Sequence, residues 1–171
     1  MKYHVDKRLT YLYTGETVAI FMFIGLSYMW NQTFPTYQLY SLYSFWGSFS
    51  VFLFILVQGS VYWYSKQKQL RNFHSMKVPY SVLRGLQLCK TTNMICILFI
   101  PLLFILDGIL FWSDIPTSGL AVSLFFYLFA IAEHINYYYI QLSYDNRSDI
   151  DYLLKQKKLK RSQLYRELKD M

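Results

Sequence analysis

The chain is short of the residues on which most recognisable chemistry rests. Among 171 residues there are two cysteines and three histidines. Cys89 and Cys96 are seven positions apart, so a shared helix would hold them about 10 Å apart along its axis, too far for a disulfide. No C-x-x-C is present, which disfavours thiol-redox chemistry. No H-x-x-x-H or second histidine stands in an apolar block, so no zinc or iron site is expected, and no cofactor. Walker A, the Rossmann glycine fingerprint, G-x-S-x-G and H-E-x-x-H are all missing. The expectation is a protein that is not an enzyme. A membrane enzyme without a familiar motif is the weakest alternative, resting on the general-base groups of Glu133, His134, Asn136 and Tyr137.

Basic residues are also missing from particular places. All 17 Lys and Arg fall in three segments: before residue 9, between residues 66 and 90, and after residue 146. The stretches Asn31 to Gln38 and Ser113 to Ser118 contain none. What lies between the basic segments is apolar. Hydrophobic residues make up 54% of the chain and aromatic residues 20%, too much for a soluble domain of this size unless it is gathered into membrane spans. Four blocks emerge, residues 14–30, 39–64, 91–112 and 119–142, each near the about 20 residues that a helix needs to cross a bilayer. Lys and Arg accumulate in cytoplasmic loops. Four spans with alternating basic and base-free connections therefore place both termini in the cytoplasm. The expected fold is all-α: a four-helix transmembrane domain over residues 1–142, followed by a basic cytoplasmic tail, residues 143–171, with short helices of its own.

Glu16 interrupts the first block and no small-residue cleavage site follows it, so that block is expected to remain as a span rather than leave as a signal peptide. Pro35 and Pro116 suit the two short outer turns. Pro79 suits the start of a helix that runs on into the third span. In the tail, Ser148 and Asp151 resemble a capping box ahead of Ile150, Leu153 and Leu154, and Ser162 marks a second start with Leu164 and Leu168 on one side.

Helical spacing sorts the polar residues. Ser44, Gly47 and Ser48 form a small-residue stripe of the kind that lets helices approach closely in lipid, and Gln58 falls on the same side. Glu16 shares a face with Ala19, Phe23 and Ser27. Glu133 lines up with Asn136 and Tyr137, with His134 about a quarter-turn away. The first span runs outward and the fourth inward, so Glu16, Gln58 and Glu133 are expected at one depth, in the cytoplasmic third. Such a layer is either a hydrated structural belt or a place where protons or cations bind. Asp107 falls in the opposite third, six residues beyond Pro101, as either a packing feature or part of a pathway.

Lys155, Lys157, Lys158, Lys160 and Arg161 make a cluster suited to anionic lipid or to a protein partner, with the net charge of +7 in keeping. Nucleic acid is not expected as a partner, because the tail is too short for a recognised module. A four-span chain with a glutamate early in its first span resembles the small multidrug transporters, whose glutamate couples drug to proton. Glu16 alone carries that likeness; the 26-residue basic central loop and the acids of the later spans depart from it.

The leading expectation is a small membrane component, in contact with lipid, that anchors or regulates a protein partner or pairs with its own copies. The alternative is a proton- or cation-coupled transporter subunit using Glu16 and Glu133. Abundant Tyr, Phe, Ile and Lys with scarce Ala suggest an AT-rich bacterial genome, and hence a bacterial cytoplasmic membrane.

Overall fold

A computed structural model describes residues 2–142 and 159–171. Four helices in it are long and apolar enough to cross a membrane: α1, Lys2–Thr33; α2, Tyr43–Phe73; α3, Tyr80–Leu110; and α4, Thr117–Tyr138. A short fifth, α5, covers Gln163–Lys169. The chain is a helical, multi-span membrane protein. The helices differ in extent from the apolar blocks. At about 1.5 Å per residue, α1 with its 32 residues and α2 with its 31 reach well beyond the about 30 Å of hydrocarbon. Their extra turns carry Asp6, Lys66, Gln67 and Arg71, polar side chains that fall on the helical period but outside the apolar run. α4 stops at Tyr138, four residues short of its block.

The connections follow local chemistry. Two 3-10 turns, Pro35–Tyr37 and Leu39–Ser41, join α1 to α2, with Gln38 between them in the left-handed region. His74 adopts the same conformation as it ends α2, and Pro79 precedes the first turn of α3. α3 runs unbroken through Pro101. Asp6, near the start, bonds Arg71, while Glu167, near the end, bonds Lys66. Both ends of the chain thus meet the C-terminal half of α2, on the face that gathers the basic residues.

α2 is the axis of the bundle, and α1, α3 and α4 all pack on it. Its Phe45, Phe49 and Phe52 are buried against Phe126 of α4, with ring centroids 5.0 Å apart for Phe49 and Phe126, and Phe23 of α1 closes on Phe52 at 5.0 Å. Edge-to-face contacts of this kind fill the middle of the bundle with rings. Ser44 and Ser48 are fully buried, and Gly47 lies under Leu103 of α3, so the small-residue stripe works between helices of the same chain. Large apolar side chains elsewhere on the spans, among them Phe21, Leu98 and Ile109, are about two-thirds exposed, as lipid-facing residues are.

Gly119 is the tightest backbone approach. A Cβ there would strike the Tyr37 carbonyl oxygen and come within 2.9 Å of Leu42 Cδ1. Because a carbonyl in a 3-10 turn has little room to yield, Gly119→Ala is expected to cost roughly 1–3 kcal/mol and lower the melting temperature in detergent by several degrees. Gly25→Ala, where nothing lies within 4 Å, serves as the control and should leave it unchanged.

Candidate functional site

Four groups of polar side chains stand out among the described residues, three in the spans and one where the tail meets them. At the end of the bundle away from the termini, Asp107 is almost completely buried, and its two carboxylate oxygens accept the backbone N–H groups of Tyr43 at 3.0 Å and Ser44 at 2.8 Å. Leu42, the residue that begins α2, has no side chain able to cap it. An acid from α3 therefore satisfies the first turn of α2, where unpaired donors and the helix dipole both favour a negative charge.

Nearer the middle, Gln58 of α2 and Asn93 of α3 exchange reciprocal amide hydrogen bonds of 3.1 and 2.8 Å. Tyr138 of α4 donates its hydroxyl to the Gln58 Oε1 at 2.6 Å. All three residues are buried, so one polar knot joins three helices. Gln58 was visible in the sequence as an interior amide; Asn93, the lone amide of the third apolar block, was its signal-bearing partner.

On the other side of α2, α1 and α4 converge without close backbone packing and leave a recess of about 580 Å³. Glu16 and Glu133 stand on its walls with Arg8, Trp63, Asn136 and Tyr137, over apolar Leu9, Leu12 and Leu56. The Tyr137 hydroxyl donates to one oxygen of Glu16. The other oxygen is buried and, among the described residues, has no hydrogen-bond partner of ordinary geometry. Gly59 makes this arrangement fit, since a Cβ there would collide with that same Glu16 oxygen and with the Tyr137 hydroxyl. Glu133 accepts from the Asn136 amide at 3.2 Å, and Asn136 in turn accepts the Leu142 N–H at 2.8 Å. His134 points away from this group. It is buried against the rings of Tyr138 and Tyr139, and neither nitrogen has a partner among the described residues.

The tail forms the fourth group. Residues 159–162 return beside the end of α4, with Gln141 N–H donating to the Lys160 carbonyl at 2.8 Å and Ser162 N–H to that of Tyr139 at 3.1 Å. Ser162 caps α5 by accepting from the Tyr165 N–H, and gives its own proton to the Tyr137 carbonyl at 2.5 Å. Lys66, a buried cation of α2, meets Glu167 at 2.6 Å and Gln163 at 3.0 Å, and Tyr62 donates to Glu167 at 3.0 Å. Leu164 is buried in the bundle core and Leu168 packs against it, so the apolar side of α5 turns inward. Arg161 stacks on Tyr165 and bonds its hydroxyl at 2.7 Å. Lys155, Lys157 and Lys158, and the helix expected from Ser148, lie outside the described residues.

Lys66, Tyr62 and Glu167 escaped the sequence reading because Lys66 follows the second apolar block, where a lysine reads as a solvated flank. No three His, Cys, Asp or Glu side chains gather closely enough for a metal ion among the described residues. Comparison with protein-family models, with curated proteins and with solved structures returned no match to this chain.

Proposed function

We propose that this chain is a non-enzymatic membrane component that holds its partner by a cationic group received between Glu16 and Glu133, in the cytoplasmic leaflet. The observation that carries this reading is the recess itself: an amphipathic hollow with two carboxylates on its walls, one of which keeps a buried oxygen that has no donor of ordinary geometry among the described residues, the Trp63 indole interacting only weakly with that carboxylate. A buried carboxylate oxygen without a donor is costly, and an ammonium or guanidinium group relieves that cost. The distribution of Lys and Arg supports placing this face on the cytoplasmic side.

Two features favour a holding role over conduction. The rings of Phe23, Phe45, Phe49, Phe52 and Phe126 fill the bundle beyond the recess. Of the remaining interior polar groups, Asp107 is occupied with α2 and Gln58 with Asn93 and Tyr138.

Dodecylamine and the zwitterionic dodecylphosphocholine, added to the detergent-purified protein, test the reading. The amine at about ten times its Kd is expected to raise the melting temperature by about 3–6 °C, and the zwitterion not to. Glu16→Gln with Glu133→Gln keeps acceptors for Tyr137 and Asn136 and should abolish the gain. An equal response in the double variant would refute a carboxylate-held cation. A proton flux in reconstituted vesicles that Glu16→Gln removes would replace the holding role with coupled transport.

A further inference from the structure

A second hollow, of about 500 Å³, opens between α3 and α5, and it has the opposite character. Its walls are Gln87, Lys90, Thr91, Met94, Tyr139, Tyr165, Leu168 and Lys169, and none of the eight is acidic. Lys90 is half-buried, with its ammonium 4.4 Å from the centre of the Tyr139 ring and 6.0 Å from that of Tyr165. Two aromatic faces thus position the cation and leave its remaining side to the hollow. Its height is defined by sequence: Lys90 is the last charged residue before an uncharged run from Thr91 to Leu106, so it stands where the span leaves the headgroups.

Above the hollow the surface is apolar and, among the described residues, uncovered. Gln87, Thr91, Met94, Leu98, Leu102 and Ile105 follow one another on a single face of α3 by the helical period. Met94 is 41% exposed, Leu98 70%, Leu102 53% and Ile105 60%. A basic, hydroxyl-bearing pocket at headgroup depth, continued by an exposed apolar stripe into the bilayer, matches the two ends of one kind of molecule. We propose that this hollow binds the phosphate of an anionic phospholipid, between Lys90 and Lys169, with an acyl chain lying along Met94, Leu98 and Ile105.

The site is separate from the recess between α1 and α4, and α5 divides the two. Gln163 and Leu164 face the recess, whereas Tyr165, Leu168 and Lys169 face the lipid site. A lipid bound there would press α5 against the bundle.

The test is native mass spectrometry of the delipidated protein with phosphatidylglycerol or phosphatidylcholine of identical chains. One phosphatidylglycerol adduct is expected at concentrations where phosphatidylcholine leaves none. Lys90→Gln with Lys169→Gln should weaken it at least about tenfold. Lys90→Arg with Lys169→Arg should retain it, as should Lys68→Gln, which removes one charge from the same face elsewhere. Lys90→Gln alone, expected to weaken the adduct severalfold, carries the comparison if the double variant does not fold. Equal adducts with the two lipids, or an equal loss in Lys68→Gln, would overturn the site as diffuse attraction. Competition by millimolar inorganic phosphate with no preference between lipids would overturn the lipid assignment in favour of a soluble anion.

Discussion

Asp107→Ala is expected to lower the melting temperature of the detergent-solubilised protein by roughly 4–24 °C, more than any lipid-facing substitution. The carboxylate accepts two buried backbone N–H groups at the start of α2, and alanine leaves both without a partner. Each such loss costs about 1–3 kcal/mol, so the two together cost about 2–6 kcal/mol, and a chain of this size loses about 2–4 °C per kcal/mol. Asp107→Asn keeps one acceptor oxygen and should show about half the loss. Leu42→Ser supplies an independent cap and should recover part of it in the Asp107→Ala background, at some expense in packing, since Leu42 is fully buried. A melting temperature within about 2 °C of the parent for Asp107→Ala would mean that water or another side chain satisfies those donors. The reading of Asp107 as the anchor of α2 would then fall.

This pair also shows how the sequence carried more than was taken from it. An acid alone in the third apolar block was an anomaly. A helix beginning at Leu42, with no Ser, Thr, Asp or Asn to cap it, was another. Each explains the other once α3 lies beside α2, but no spacing rule links residues 64 positions apart. Gln58 and Asn93 make the same point, since each amide is visible alone and only packing of α2 on α3 pairs them.

The four spans themselves were legible because bilayer thickness demands long apolar runs, and that demand is local to each run. Their ends were not. Hydropathy reports where lipid stops, whereas the backbone hydrogen-bond ladder of α1 and α2 continues into the polar flanks. Lys66 and Gln67 lie in that continuation and are buried there, Lys66 under the returning tail and Gln67 against α1, where its amide donates to Asp6 and Thr10. The expectation of one depth for Glu16, Gln58 and Glu133 followed from topology alone; Glu16 and Glu133 line one recess, whereas Gln58 turns to Asn93 and Tyr138 instead. What topology could not supply was Tyr137 as the donor to Glu16, or Gly59 as the space that admits the pair.

Glu167→Ala tests the closure of that recess, and the measurement that matters is local. Lys66 is the only buried lysine among the described residues; its side chain is 5% exposed, and Glu167 at 2.6 Å is its counter-ion. Removing one partner of a buried pair costs about 3–5 kcal/mol, because the remaining charge has no water to return to. Here it has an escape: α5 is seven residues long and can lift away, which rehydrates Lys66 without unfolding the bundle. The penalty should therefore appear as opening of the tail rather than as global unfolding. Limited trypsin cleavage at Arg161, Arg166 and Lys169 is expected to quicken about 100-fold, while the melting temperature of the spans falls by only a few degrees. Lys66→Met combined with Glu167→Leu replaces the pair by apolar contact and should restore most of the protection, as buried ion pairs often permit. Because Gln163 and Leu164 line the recess, the opened tail of Glu167→Ala should also weaken dodecylamine binding, although Glu16 and Glu133 are untouched. Unchanged cleavage in Glu167→Ala would mean that Leu164 and the backbone pairing to α4 hold the tail unaided, and that Lys66 tolerates burial with Tyr62 and Gln163 alone.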